Sequence, residues 1–197
     1  MKKFLLTASL LLLAGCSSAP ASPTGPVTPR ADSPSMGNPS AKVVIEEFGD
    51  FQCPACKGAA EIADSIVKKF SGEVKFVWRQ YPLEQIHDGA LGAALASECV
   101  NEQGKFWEFH DLLYANQKSF TSDDLKSAAQ SLNLDMTKFN SCFDSKKYKD
   151  AVRQDQALGN SRNIGGTPTF FVNGDLLPSW KPDVFESFVE QKIQENR

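Results

Sequence analysis

The sequence lacks any block of lysine and arginine residues, and this absence limits the partners that the chain could bind. Its 197 residues include 21 basic and 24 acidic side chains, with a net charge of −3. Nucleic-acid binding needs clustered cations that neutralise phosphates. We therefore expect no nucleic-acid partner. The content of 41% apolar and 23% charged residues is instead typical of a globular domain with an adequate core.

The apolar run near the N-terminus, residues 4–14, is too short to span a bilayer comfortably. Because it follows two lysines, it predicts a signal peptide over residues 1–15. The run ends in the letters LAGC, which resemble the lipobox of bacterial lipoproteins. The resemblance implies cleavage before Cys16 and acyl chains on that cysteine, which would anchor the chain to a membrane outside the cytoplasm. The alternative is an ordinary secreted protein with a stray cysteine.

The segment that follows is rich in proline, serine and threonine and has almost no large apolar side chain. Such a composition cannot bury enough surface to fold, and its prolines favour an extended spacer. We therefore predict a lipidated cysteine and a disordered stalk over residues 16–40. The folded domain is predicted over residues 41–197.

No second pair of closely spaced cysteines accompanies Cys53 and Cys56. A zinc site built from four cysteines normally has two such pairs, but Cys99 and Cys142 lie far apart and have no close histidine. No metal or other cofactor is therefore expected. In an oxidising compartment, the even number of cysteines that remains after Cys16 indicates disulfide chemistry, either catalytic or structural.

The hydrophobic pattern of residues 41–197 alternates between the strand and helix periods. It predicts a strand–helix–strand half, a helical insertion over about residues 85–163, and a half made of a strand hairpin and a final helix. The hairpin is expected to turn at Asn173 and Gly174. This order of elements predicts an α/β fold around a central sheet.

The letters CPAC at the start of the first helix and GTP before the third strand resemble the thioredoxin fold. With the helical insertion, the blocks EEFGDFQCPAC, RQYPL, GKFWEFHDLLYAN and GGTPTFFVNG resemble the DsbA-like thiol:disulfide oxidoreductases. The resemblance covers nearly the whole domain. It implies a β-α-β and β-β-α thioredoxin fold with an inserted helical domain.

The position of Cys53 at a helix N-terminus gives the predicted redox pair its chemistry. Unsatisfied N–H groups and the helix dipole stabilise a thiolate there and lower its pKa. Pro54 suits the first helical position because its missing N–H would have been unpaired. Cys56 lies one turn deeper and shielded. We therefore expect Cys53 to be an exposed nucleophile and Cys56 to be the resolving thiol; a static disulfide is the alternative.

The family resemblance also assigns residues around this pair. It implies a cis peptide bond before Pro168, opposite the dithiol, which would present the backbone of Thr167 as an edge for a substrate peptide. The alternative is an ordinary trans proline. The residues expected to contact the substrate are Pro54, Ala55, Gly166 and Thr167.

Glu47 matches the buried acid of the family, which could accept and return the proton of Cys56. The alternation of the strand leaves open whether Glu47 or Glu46 simply points to solvent. Ala55 departs from the strongest oxidases, which carry a histidine beside the resolving cysteine. We therefore expect the pKa of Cys53 to be lowered less than in those enzymes.

Cys99 and Cys142 both lie on apolar faces of predicted helices, and we expect them to form a structural disulfide. Two free buried thiols are the alternative. The histidines are not expected to be catalytic. His110 lies among aromatic residues of the helical core, and His87 lies near a helix start.

Together these features predict a membrane-tethered dithiol oxidase that introduces disulfides into exported proteins. Its expected partners are reduced or unfolded exported proteins and a membrane redox protein that recharges the dithiol. The alternatives are a reductase or isomerase with the same pair kept reduced, or a non-catalytic peptide-binding lipoprotein. Nothing resembles the dimerisation domain of isomerases in the family, and we expect a monomer.

Overall fold

The computed structural model describes residues 28–117 and 120–197. The predicted signal peptide, Cys16 and the first part of the predicted stalk lie outside these residues. The strands are β1 (Ser35–Gly37), β2 (Val43–Gly49), β3 (Val74–Gln80), β4 (Thr169–Val172) and β5 (Asp175–Leu176). The helices are α1 (Pro54–Lys69), α2 (Ala90–Asn101), α3 (Phe106–Ala115), α4 (Ser122–Ser131), α5 (Met136–Asp144), α6 (Lys149–Ser161) and α7 (Pro182–Glu195).

The strands form one mixed sheet in the order β1-β3-β2-β4-β5. β2 and β3 run parallel and are joined by α1, whereas β4 pairs antiparallel with β2. This arrangement confirms the predicted thioredoxin fold with its helical insertion, which comprises α2 to α6. The hairpin turn is also confirmed, because Asn173 and Gly174 both have positive φ angles, of 50° and 86°.

β2 is buried on both faces of the sheet, and successive side chains along it point to opposite faces. Val43 and Ile45 belong to one core cluster with residues of α1 and α7. Phe48 packs on the other face against Leu158 of α6. The neighbours Glu46 and Glu47 therefore project into two different environments.

The folded domain begins earlier than the sequence predicted. Residues 35–37 form β1, which pairs antiparallel with β3, and Arg30 is buried. The prediction of a disordered stalk through residue 40 is thus wrong for residues 30–40. A strand of three residues is too short to be recognised from composition. The ion pairs of Arg30 could not be predicted either, because its partners lie far along the chain.

The helical insertion is cross-linked by a disulfide between Cys99 of α2 and Cys142 of α5. This bond confirms the predicted structural pair. Within the described residues, no helix is both long and apolar enough to cross a membrane.

Candidate active site

The predicted redox pair lies at the N-terminus of α1. Cys53 is the N-cap residue and has extended backbone angles, and Pro54 is the first residue of the helix. Both Cys53 and Cys56 are free thiols. Cys53 is less accessible than predicted, with 6% of its surface exposed, because the Thr167 segment lies over its sulfur. Cys56 is completely buried, as expected.

Hydrogen-bond donors around its sulfur lower the pKa of Cys53 to about 5. The largest contribution is the hydrogen bond from the Cys56 thiol, and burial opposes it. The Thr167 hydroxyl and the backbone N–H groups of Cys56 and Ala55 lower the pKa further. Cys53 is therefore a thiolate at neutral pH, and the open N–H groups of the helix contribute as the sequence predicted.

Cys56 behaves in the opposite way. Burial raises the pKa of its thiol well above the usual value, and its hydrogen bond to Cys53 and the charge of Glu47 raise the pKa further. At neutral pH one sulfur of the pair thus carries the charge and the other carries the proton. A thiol that keeps its proton so firmly needs a nearby base before it can act as a nucleophile.

Glu47 supplies a carboxyl group beside Cys56. Its side chain is 1% exposed, and its Oε1 atom has no hydrogen-bond partner among the described residues. Burial, together with the charge of Cys53, raises the pKa of Glu47 to about 8. The carboxyl can therefore gain or lose a proton near neutral pH, whereas the alternative that it points to solvent is wrong.

The segment before β4 faces the dithiol from across the site. The Thr167–Pro168 peptide bond is cis, as the resemblance implied. The carbonyl oxygen of Thr167 lies 3.2 Å from Cys53 Sγ and accepts a hydrogen bond from it when the thiol is protonated. A Cβ atom added at Gly165 or Gly166 would meet no atom within 4 Å. These glycines therefore border open space in the segment just before Thr167.

Pro54 and Ala55, which directly follow Cys53 in the chain, are exposed, while Gly166 and Thr167 are half-buried. Thr167 also contacts the Cys53 sulfur. All four residues predicted to contact the substrate are therefore at least partly accessible.

Residues that the sequence analysis did not single out hold the loop that leads to Cys53. The carboxylate of Asp50 accepts hydrogen bonds from the backbone N–H groups of Gln52 and Leu83, each over 2.8 Å. Its carbonyl oxygen accepts one from the N–H of Cys53 over 3.1 Å. The side chain of Gln117 donates to the carbonyl oxygen of Cys53 over 2.8 Å. The contacts of Asp50 with Gln52 and Cys53 form a local turn, which an aspartate at this position could have signalled. The contacts made with Leu83 and Gln117 join distant segments and have no local signature.

The two histidines occupy different places. His87 lies near a helix start as expected, three residues before α2, and its carbonyl oxygen accepts a hydrogen bond from the N–H of Ala90. Its Nδ1 atom is 2.8 Å from Oδ2 of Asp50, so it also contacts the anchor of the Cys53 loop. His110 is buried within an aromatic cluster that includes Phe51, Trp78 and Tyr114. The prediction that it is a core residue is confirmed.

On the other face of β2, Glu46 lies in a network of charged side chains. Its carboxylate accepts hydrogen bonds from Arg79, at 2.7 and 2.9 Å, and from Arg162, at 2.7 Å. Burial alone would raise the pKa of Glu46, but the hydrogen bond from Arg162 and the charge of Arg79 hold it below its usual value. Glu46 is therefore ionised and paired, and it does not point to solvent.

The network continues to the N-terminal segment. Arg30 bonds to Glu98 at 2.9 Å and to Asp155 at 3.0 Å, and all three side chains are buried. Arg79 donates to the carbonyl oxygen of Arg30 over 3.0 Å. The network thus joins the sheet, the helical insertion and the residues before β1.

Comparison with known proteins agrees with this architecture. The sequence model of a family described as thioredoxin matches residues 30–191. The crystal structure of oxidised BdbD from Bacillus subtilis is 28% identical, with a TM-score of 0.73 over 83% of this chain and 94% of that chain. A thioredoxin-like oxidoreductase from Silicibacter pomeroyi is 25% identical, with a TM-score of 0.73 over 85% and 94% of the two chains. The oxidised DsbA of Mtb, at 21% identity and a TM-score of 0.64 over 84% and 90%, shares the fold.

Curated relatives share only a part of their length with this chain. A protein of Salinispora tropica named Na(+)/H(+) antiporter NhaA 3 is 38% identical over 149 residues, which are 76% of this chain and 22% of that protein. An antiporter NhaA of Herminiimonas arsenicoxydans is 32% identical over 152 residues, or 77% and 24% of the two proteins. The chain thus spans about a quarter or less of the length of these relatives.

Proposed function

Because this chain belongs to the thioredoxin family and resembles its DsbA-like members, we propose that it is a thiol:disulfide oxidoreductase that acts as a dithiol oxidase on exported proteins. The observation that carries this proposal is the opposite behaviour of two adjacent thiols. The pKa of Cys53 is about 5, while the pKa of Cys56 lies well above its usual value. Such asymmetry assigns the exchange with substrate to Cys53 and the internal step to Cys56.

The reaction begins from the Cys53–Cys56 disulfide. A substrate thiolate attacks the sulfur of Cys53, so a mixed disulfide forms and the electron pair of the broken bond leaves on Cys56. The Cys56 sulfur takes a proton from the carboxyl group of Glu47. A second substrate thiolate then attacks the substrate sulfur of the mixed disulfide, and Cys53 leaves as a stabilised thiolate. The substrate loses two electrons, and the enzyme dithiol gains them.

The low pKa of Cys53 supports the oxidising direction. A stabilised thiolate stabilises the reduced form, and this makes the disulfide form a stronger oxidant. Comparable nucleophilic cysteines have pKa values of about 7 in thioredoxin and about 3.5 in DsbA. A value of about 5 lies between them, in keeping with the alanine at position 55. The same dithiol kept reduced by an electron donor would act as a reductase, and the redox potential separates the two directions.

The first test traps the substrate. In the full chain, Cys56→Ala should accumulate mixed disulfides with substrate proteins that already contain a disulfide. The Cys53 thiolate attacks that disulfide, one substrate thiolate leaves, and Cys56 is no longer present to displace the bound substrate from Cys53. The matched variant Cys53→Ala should trap none, since Cys56 is completely buried. Non-reducing gels followed by mass spectrometry would show the adducts. Failure of Cys56→Ala to form any adduct would favour a non-catalytic peptide-binding protein.

Whether the enzyme oxidises or reduces its substrates is decided by measuring the redox potential of the Cys53–Cys56 pair in equilibrium with glutathione. A dithiol oxidase should have a potential above that of thioredoxin, which is about −270 mV. A potential at or below that value would support the reductase instead. The expected partners are then reduced exported proteins as substrates and a membrane redox protein that reoxidises the dithiol.

The location of the enzyme is the remaining part of the proposal. We infer lipid anchoring at Cys16 from the signal sequence, and this residue lies outside the described part of the chain. Cys16→Ala should leave the enzyme active on a soluble substrate but move it out of the membrane fraction. A Cys16→Ala protein that still sediments with membranes would contradict the lipoprotein assignment.

A further inference from the structure

A groove of about 400 Å³ opens between α1 and α3 and reaches the sheet beneath them. Glu47 of β2 lines it, as do Met36 of β1 and Phe76 of β3. The groove thus reaches Glu47, and its lining residues do not include Cys53 or Cys56. Its volume has room for several water molecules, each of which occupies about 30 Å³ in the liquid.

We propose that this groove carries protons between the carboxyl group of Glu47 and solvent, and that His110 on its wall transfers them. The inference rests on the proposed function, because only a working dithiol makes Glu47 change its protonation in each cycle. His110, a residue of the aromatic core, would then act as a proton-transfer group, a role that the family resemblance does not imply.

Glu47 needs such a route because its other surroundings are closed. Cys56 is completely buried, and Cys53 beyond it is covered by the Thr167 segment and would be covered further by a bound substrate. The Oε1 atom of Glu47 has no hydrogen-bond partner among the described residues, although a buried carboxyl oxygen normally has one. Water in the groove would supply that partner and a path for the proton.

His110 is placed to continue the path. It lines the groove, and its Nδ1 atom is 2.8 Å from the carboxylate of Asp111. The side chain of Asp111 also lines the groove and is 81% exposed, so it reaches bulk solvent. An imidazole can accept a proton on one nitrogen and release one from the other.

Other titratable groups face the same space and set the electrostatic background of the route. The wall formed by α1 contributes Lys57, Glu61, Asp64 and Lys68, and the wall formed by α3 contributes Tyr114 beside His110 and Asp111. Cys53 and Cys56 face Glu47 from the active-site end. Two lysines and three carboxylates of the outer walls leave the mouth close to neutral, so neither sign of charge blocks it.

The proton balance of the step is simple. When a substrate thiolate opens the Cys53–Cys56 disulfide, Glu47 gives its proton to the Cys56 sulfur and becomes a carboxylate. The groove then returns one proton from solvent to Glu47 through His110. Reoxidation of the dithiol runs the same transfer in reverse, and no additional oxidant or reductant is involved.

The test compares His110→Gln with wild type in single-turnover reduction of the full-length oxidised enzyme by a dithiol peptide, across pH and buffer concentration. Wild-type rates should not depend on buffer concentration. The variant should react about tenfold more slowly at low buffer, since one proton-transfer group is lost. Small imidazole buffers should restore its rate, because the groove admits a free imidazole. A purely structural role of His110 would not produce this rescue.

The matched control is Leu112→Gln, which places the same amide on α3 but outside the groove and should not create a dependence on buffer concentration. The pKa of Cys53 and the unfolding temperature, measured in both variants, report on any distortion of the site. If His110→Gln retains a wild-type rate without buffer dependence, the proton route through His110 is wrong, while exchange by the wild-type enzyme still supports the proposed function. If the wild-type protein shows no thiol–disulfide exchange with the dithiol peptide, the proposed function itself is wrong.

Discussion

Glu46 and Glu47 are adjacent on one strand, have the same side chain and are both buried, yet they differ in almost every property. Glu46 lies against two arginines, and its pKa is held below the usual value. Glu47 faces the dithiol with an unpartnered oxygen, and its pKa is raised to about 8. The two-residue period of a strand is enough to send one carboxyl into an ion network and the next into an active site.

The comparison shows that burial alone does not decide what an acid does. Burial raises the pKa of both carboxyls, and the difference arises from the cations on one face of the sheet. A buried carboxylate that is paired with cations stays ionised and contributes to structure. A buried carboxyl group without such a partner keeps its proton and can release it near neutral pH. What distinguishes Glu47 on the reactive face is therefore that no arginine pairs with its carboxyl group among the described residues.

Removal of Arg79 should break the paired face most severely. Arg79→Met leaves the buried carboxylate of Glu46 with Arg162 as its cation and removes the hydrogen bond to the carbonyl oxygen of Arg30. The free energy of unfolding should fall by about 3–5 kcal/mol, the usual cost of breaking a buried ion pair. Denaturant titration measures this loss, and exchange at the Cys53 pair should persist in the protein that stays folded.

Lys68→Met is the matched control, because Lys68 forms an exposed ion pair with Asp64 within α1. Its stability should stay close to wild type, as exposed pairs contribute little. Equal losses in the two variants would mean that the buried network does not stabilise the fold more than a surface pair does.

The neutral variants of the two acids should shift stability in opposite directions. Glu46→Gln should destabilise the fold above about pH 4.5, because the lowered pKa of Glu46 contributes stability there that is lost only as the pH falls. Glu47→Gln should stabilise it. In wild type, the unfolded chain releases the Glu47 proton near pH 4.5 but the folded chain keeps it to about pH 8, so stability falls across that interval.

The difference between Glu47→Gln and wild type should therefore grow between about pH 4.5 and 8 by at most about 1.4 kcal/mol per pH unit, and then level off. The same variant should slow opening of the disulfide about 100-fold, because Cys56 loses its proton donor. Denaturation curves at several pH values and single-turnover kinetics check the two effects. A Glu47→Gln enzyme with wild-type kinetics would remove Glu47 from the mechanism.

The sequence was sufficient for the parts of this site that lie close together along the chain. A motif at a helix start predicted Cys53, Pro54 and Cys56. The family resemblance predicted Pro168, and the even number of cysteines on apolar helix faces predicted the Cys99–Cys142 disulfide. Strand alternation could not separate Glu46 from Glu47, because it does not say which face holds the dithiol, and only the family resemblance pointed to Glu47. That difference depends on Arg79 and Arg162, which are 33 and 116 residues away from Glu46.

The N-terminal boundary failed for a related reason. Arg30 lies in a proline-rich segment whose composition indicates disorder, but its guanidinium pairs with Glu98 and Asp155, which are 68 and 125 residues away. Long-range pairing of single charged residues has no signature in local composition. The same holds for Asp50 and Gln117, whose hydrogen bonds hold the loop before Cys53.

The smallest of these effects concerns a cation added to the reactive face. The groups that lower the pKa of Cys53 are neutral donors, namely the Cys56 thiol, the Thr167 hydroxyl and two backbone N–H groups. Ala55→His would place a titratable ring beside them on an exposed position. If it forms one charge-assisted hydrogen bond to the Cys53 thiolate, worth about 1.5–3 kcal/mol, the redox potential should rise by about 30–60 mV.

The sign follows from which form the histidine favours. It stabilises the thiolate, hence the reduced enzyme, so the disulfide becomes a stronger oxidant and the pKa of Cys53 falls below about 5. The shift should be larger below the usual imidazole pKa of about 6.5, where the ring is charged, than above it. Ala55→Gln is the matched control, since it adds a neutral donor of similar reach. Equilibration with glutathione at two pH values measures the potentials, and an equal shift for histidine and glutamine would show that donors set the redox potential of this site and that charge does not.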